Sequence, residues 1–143
     1  ANLIGSDGVF STFHRTDFTS AQMSSGIFRQ SDFTDAQFVG AQLTYTEFRY
    51  SDMSGANLTN AWIYGGGDWL MVNLSYADLT NAMMYDLDLR YANLTGADLT
   101  GAALAYLNTS YGPADLTGVT WSNTTCPDGT NSDNNGNTCM NNL

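Results

Sequence analysis

Lysine is absent from this 143-residue chain, and four arginines and one histidine stand against fourteen acids, for a net charge of −10. A polyanion such as nucleic acid is not an expected partner for such a surface. No apolar run is long enough to span a membrane, and Ala1 already occupies a repeat position, with no leader visible ahead of it. The single histidine, His14, stands beside Arg15, and neither a Cys-His nor a Ser-His-Asp constellation can be assembled from one histidine by sequence spacing alone. No catalytic residue and no cofactor is expected.

What the chain has instead is a beat of five. A large apolar residue recurs from Leu3 through Phe13, Phe18, Met23 and Phe28 to Ile63, with a lapse at Gly8. Two places before it sits Ala, Ser, Thr or Gly. After one inserted residue the beat resumes at Trp69 and runs to Leu104, and after a lapse at Thr109 and a slip of two residues it ends at Leu116, Trp121 and Cys126. A period of five fits neither a helix nor a long strand. If three residues are extended and two turn a corner, the small and the large residue point inward together, and successive coils stack at about 4.8 Å. Each repeat cannot bury its apolar residue alone, but a stack shares one core. Phenylalanines 13 and 33, 18 and 38, and 28 and 48 are twenty apart, and superpose if four repeats make one coil.

The copies Ala56-Asn57-Leu58-Thr59-Asn60, Ala77-Asp78-Leu79-Thr80-Asn81, Ala92-Asn93-Leu94-Thr95-Gly96 and Ala97-Asp98-Leu99-Thr100-Gly101 resemble the pentapeptide-repeat family. The resemblance implies an all-β repeat solenoid, a right-handed quadrilateral β-helix, here of about six coils and about 30 Å in length. The repeat is expected over 1–126, followed by a polar loop or cap over 127–143.

Cys126 and Cys139 flank a run of Asp, Asn, Gly and Thr, with no histidine nearby and no second pair for zinc. The favoured reading is a disulfide that closes this loop, and with it an extracellular, periplasmic or luminal location; the alternative is two free thiols, with Cys126 filling a core position. Asn131, Asp133 and Asn135 followed by Gly136 match the first half of an EF-hand loop, but Asn142 stands where a bidentate Glu belongs. They form a weak calcium candidate, and no metal site is expected.

Stacking at the coil period sorts the surface into four sides. One carries Thr19, Val39, Thr59, Thr80, Thr100 and Ser122, and the next Thr34, Ser54, Ser75, Thr95 and Thr117. The third carries Arg29, Arg49 and Arg90 beside Glu47, Asp68 and Asp88, with Tyr50, Tyr91 and Tyr111 at its corner. The fourth gathers Tyr45, Trp62, Tyr64, Met83, Tyr85 and Tyr106, an aromatic concentration that suits a contact surface. These features point to a non-catalytic exported module, a rigid acidic rod that self-associates, with head-to-tail stacking as one route, or binds a protein partner through the aromatic side. The alternatives are ice or surface binding through the hydroxyl ladder of Thr19, Thr59, Thr80 and Thr100, and a DNA-mimicking rod directed at gyrase. The last is implied by the resemblance, since the family includes gyrase-binding members.

Overall fold

A computed structural model describes residues 1–105 and 112–140. The chain winds as a right-handed quadrilateral β-helix in which every coil contributes four short bridging segments. One ladder runs Asn2, Gln22, Gln42, Trp62, Met83 and Ala103, all paired in parallel; Asp17, Gln37, Asn57, Asp78, Asp98 and Thr125 form the adjacent one that precedes it along the chain. Six coils are therefore stacked.

The five-residue reset is a β-turn. Its first carbonyl belongs to the central residue and accepts from the N–H three residues on, as in Met53 O to Ala56 N at 3.1 Å and Leu58 O to Ala61 N at 2.9 Å. The second turn residue has positive φ, 57° at Asn60 and 69° at Gly96, which marks a type II turn and explains the Asn and Gly at that place. The residue before the centre has its own task. Asp or Asn Oδ1 accepts the N–H two residues on, as at Asp17 to Thr19 (2.8 Å), Asn57 to Thr59 (3.1 Å) and Asp98 to Thr100 (2.9 Å). The first corner N–H is satisfied in this way within its own coil, while the second donates to the next coil, as Asn60 N does to Thr80 O at 2.9 Å.

Inside, the superposed phenylalanines stack as the twenty-residue spacing predicts. Ring centroids lie 4.7 Å apart for Phe13 and Phe33, 5.0 Å for Phe18 and Phe38, and 5.6 Å for Phe28 and Phe48, each pair near parallel. Phe48 then meets the buried Trp69 edge-on at 4.9 Å. The lapse at Gly8 has a steric cause, because a Cβ there would lie 2.7 Å from the Phe28 ring. The large residue of the second coil occupies the space its neighbour leaves. Small polar residues indoors are fully bonded: Ser31 Oγ accepts from Ser11 N and donates to Gly8 O at 2.8 Å, and Ser51 Oγ repeats the pattern one coil on.

Two departures break the regular step of twenty. At Gly65-Gly66-Gly67 the step becomes 21, as in Gln42 to Trp62 followed by Trp62 to Met83. Between Leu104 and Leu116 it becomes 27, Asp88 pairing with Asp115 and Asn93 with Thr120. The sequence reading of a two-residue slip after a lapsed repeat is corrected here: seven residues beyond the regular twenty separate these paired positions, and Thr109 lies outside the described residues. Consequently Thr117 stacks on Arg90 and Ser122 on Thr95, each one side away from its expected ladder, as shown by Tyr91 N to Thr117 O and Gly96 N to Ser122 O.

The last coil is closed by a cap. Cys126 and Cys139, both fully buried, are joined with their Cα atoms 5.3 Å apart. Thr125 pairs antiparallel with Asn131, and a short 3-10 helix, Ser132–Asn135, follows. Buried Thr124 donates its hydroxyl to Leu94 O and its N–H to Ser132 Oγ. A copy stacked head-to-tail on this end would meet that hairpin, whose strand already occupies the edge of the Thr125 ladder.

Candidate interaction surfaces

The fourth side is less open than its composition suggests. Tyr45 and Trp62 are exposed, at 54% and 43%, while Tyr64 and Met83 are half-buried. Tyr85 is only 8% exposed, because its ring stacks on Tyr64 at 4.8 Å and 16°. It is thus a support for the wall and no part of its outer surface; Tyr106 lies outside the described residues. Trp62 occupies a ladder that carries Asn2, Gln22 and Gln42 in the coils before it. Tyr45 sits at a corner with φ 57°, and its ring covers Gly65, where a Cβ would lie 3.0 Å from it.

That last contact is a recurring device. A side chain on a left-handed corner points along the rod toward the same corner of the next coil. At two further glycine corners an aromatic ring lies on the glycine, Tyr76 over Gly96 and Tyr91 over Gly118, with Cβ-to-ring distances of 2.6 and 2.5 Å, whereas Gly40, Gly55 and Gly101 meet Ser20, Asp35 and Asn81. The pairing is legible in sequence as Tyr followed by Gly one coil later, once the insertions are counted.

The arginine side is a set of rungs of opposite charge. Arg29 pairs with Glu47, Arg49 with Asp68 at 3.4 Å, and Arg90 with Asp88 through two bonds of 2.7 and 2.8 Å, with Asp115 at 3.7 Å. Asp88 is held below the ordinary carboxylate range first by its Arg90 bond, against partial burial. Arg49 lies 4.8 Å over the Tyr50 ring and donates to its hydroxyl at 3.0 Å. A cleft of about 250 Å3 between Gly66, Asp86, Arg90 and Pro113 borders this side; its arginine is already committed to carboxylates.

At the corner beside these arginines, Tyr50 and Tyr91 are joined by Phe10 and Met71, all exposed. The sequence reading placed Tyr111 there, which lies outside the described residues; Gly118 holds the corner in the last coil. Phe10 and Met71 were missed, although counting by twenty and twenty-one from Tyr50 finds them both.

On the hydroxyl side, Thr19, Thr59, Thr80 and Thr100 do stack in one column. The Thr59 and Thr100 hydroxyls donate to Asn57 and Asp98 Oδ1 at 2.7 and 2.6 Å, which fixes their rotamers. The same bonds lower the pKa values of Asp17 and Asp32, whose carboxylates take the hydroxyl and N–H of Thr19 and Thr34. At Asp78 burial is the largest influence and opposes the shift, yet the bonds from Thr80 and Thr59 together outweigh it.

The calcium candidates are occupied within the cap. Asn131 Oδ1 accepts from Asp133 N, Asp133 Oδ1 accepts from Asn123 N, and Asn135 Nδ2 donates to Thr130 Oγ1 and Asn131 O. Among the described residues no three His, Cys, Asp or Glu side chains gather as a metal would require, and no helix is long and apolar enough to cross a membrane.

The profile of the Pentapeptide repeats family matches residues 1–35, 28–60 and 72–104 in eight copies. No curated protein sequence matches the chain. Among solved structures, a pentapeptide repeat protein from the Arabidopsis thaliana thylakoid lumen is 20% identical over 93% of this chain and 73% of its own, with a TM-score of 0.51. HetL, involved in heterocyst differentiation regulation in the cyanobacterium Nostoc, is 22% identical over 90% of this chain, which spans 63% of HetL's length, at a TM-score of 0.48. QnrB1, a plasmid-mediated fluoroquinolone resistance protein, is 20% identical over 82% of this chain and 84% of its own, at 0.46.

Proposed function

Because this chain belongs to the pentapeptide-repeat family, we propose that it acts as a non-catalytic interaction rod, docking a protein partner or a second copy of itself through Tyr45 and Trp62. The observation that carries this is Trp62: an exposed indole stands in a ladder that is otherwise Asn or Gln up to that coil. A repeat fills that place with polar residues by default, and an exposed Trp at the middle of a rigid wall has the size and rigidity of an interface anchor. Its backing is firm, since the stacked Tyr64 and buried Tyr85 adjoin it in the next column. The acidic surface keeps the remainder of the rod soluble. Export is supported by the Cys126–Cys139 bridge, a bond that persists in oxidising compartments.

Light scattering on the non-reduced chain over a range of concentrations tests self-contact, and cross-linking in its native medium tests a foreign partner. Association that disappears in Trp62→Ser with Tyr45→Asn, at unchanged thermal stability, is expected. Association that survives both substitutions removes this wall from consideration. The hydroxyl column supports a second reading, surface or ice binding, because Thr59 and Thr100 are pinned in one rotamer; thermal hysteresis that falls in Thr80→Val with Thr100→Val is its signature.

A further inference from the structure

The corner beside the arginine ladder carries aromatic rings in the first, third and fifth coils: Phe10, Tyr50 and Tyr91, 73%, 46% and 55% exposed. Alternate coils are two strand spacings apart, about 9.6 Å, so the three rings stand in line over about 19 Å. This is the pitch of a fully extended β-1,4-linked sugar ribbon, in which every second hexose presents the same face. We propose that this corner is a binding site for such a polysaccharide, independent of the Trp62 wall.

Three features of the corner argue for that ligand. The apolar C–H face of a pyranose packs on the electron-rich face of an aromatic ring, and rings at disaccharide intervals engage a ribbon without any deep pocket. Each tyrosine is also held in place before binding: Tyr50 by the Arg49 guanidinium stacked on it and bonded to its hydroxyl, and Tyr91 by its contact over Gly118. Rings fixed in this way lose little conformational entropy on binding. Finally, the flanking ladder is charge-balanced, Arg49 with Asp68 and Arg90 with Asp88, and so offers donors and acceptors to hydroxyl groups. At a net charge of −10 the rod repels polyanions, which leaves a neutral polymer as the matching class.

The test is retention of the full, non-reduced chain on microcrystalline cellulose and on chitin, with soluble amylose as a helical, α-linked comparison. Calorimetry with oligosaccharides of increasing length then measures the reach of the site. Expected are retention on at least one β-1,4 polymer, none with amylose, and affinity that rises with length to about five sugar units, the reach of four coil steps. Tyr50→Asn with Tyr91→Asn should weaken retention at least about tenfold, as should Phe10→Asn alone to a lesser degree, while Trp62→Ser leaves it unchanged. Asparagine suits these corners, since Asn60 and Asn81 already hold equivalent ones at φ 57° and 56°. Unchanged melting temperature verifies that the variants fold. Absence of retention on both polymers, retention indifferent to the corner substitutions, or equal binding of amylose overturns the proposal, and loss on Trp62→Ser alone would assign the binding to the other wall.

Discussion

Gly40 and Gly96 hold equivalent corners, with φ of 62° and 69°, but they differ in what lies above them. A Cβ on Gly40 would find only Ser20 Oγ, at 3.9 Å, whereas a Cβ on Gly96 would stand 2.6 Å from two carbons of the Tyr76 ring. An L-residue in the left-handed region costs roughly 1–2 kcal/mol, and the reduced freedom of alanine in the unfolded chain returns about 0.4–1 kcal/mol. Gly40→Ala should therefore lose about 1 kcal/mol. Gly96→Ala must in addition push the ring off its seat, and re-exposing on the order of 40 Å2 of apolar surface adds about 1 kcal/mol. Tyr76→Asn removes the ring, so in that background Gly96→Ala should fall back to the Gly40 value, a coupling of about 1 kcal/mol. Urea denaturation without reductant reads these differences as midpoint shifts of several tenths of a molar or more. Equal losses for Gly40→Ala and Gly96→Ala, or a coupling below about 0.3 kcal/mol, would show that the ring makes no structural use of the glycine beneath it.

Three other perturbations probe the remaining parts of the fold. Acid should destabilise the rod in a narrow window: Asp17, Asp32, Asp78, Asp88 and Asp115 all have folded pKa values below the ordinary carboxylate range. Their contribution is complete above the unfolded value of about 3.9 and is lost as pH falls through the folded values, so melting temperature should hold steady above about pH 5 and drop below about pH 4. Ser31→Ala strips partners from both Ser11 N and Gly8 O and should cost about 1–3 kcal/mol, whereas Ser54→Ala on the outer surface should cost less than about 0.5 kcal/mol in the same urea assay. Reducing the Cys126–Cys139 bridge, which spans 13 residues, should lower stability by about 3 kcal/mol and raise proteolysis within 127–140 ahead of the repeats.

The interior was legible because its grammar is short. A five-residue beat, the small residue two before the centre and phenylalanines twenty apart were enough to place Phe33 on Phe13 and Phe48 on Phe28 before any geometry was known. Register after Leu104 was not legible, since a lapsed repeat plus two residues and a coil step lengthened by seven leave the same downstream beat; only the pairing of Asp88 with Asp115 distinguishes them. Thr117 and Ser122 were misplaced for that reason alone. Exposure on the aromatic side also escaped the sequence: Tyr64 and Tyr85 differ from their column neighbours Ser24 and Thr44 in being large enough to stack on each other, and stacking buries the second ring. Composition shows which residues share a side but cannot show that two of them satisfy one another.

In a repeat whose core is nearly uniform, information about partners must reside where the surface departs from its own rule, and the corners allow that departure to be weighed. The left-handed position suits glycine or asparagine best, as at Gly96, Gly101, Asn60 and Asn81, although Arg15, Gln30, Asp35 and Met71 also hold it. Phe10, Tyr50 and Tyr91 take the same conformation at φ 57°, 62° and 59°. Each costs roughly 1 kcal/mol or more against glycine, and all three leave about half of their surface in water or more, so burial returns only part of that cost. Three such residues on one corner and in alternate coils amount to a few kcal/mol, a large share of the 5–15 kcal/mol by which domains of this size are typically stable. Replacing all three with asparagine should therefore raise the melting temperature or leave it unchanged, while abolishing whatever the corner binds. A clear fall in melting temperature would mean that the rings hold the coils together, and their alignment would then need no ligand to account for it.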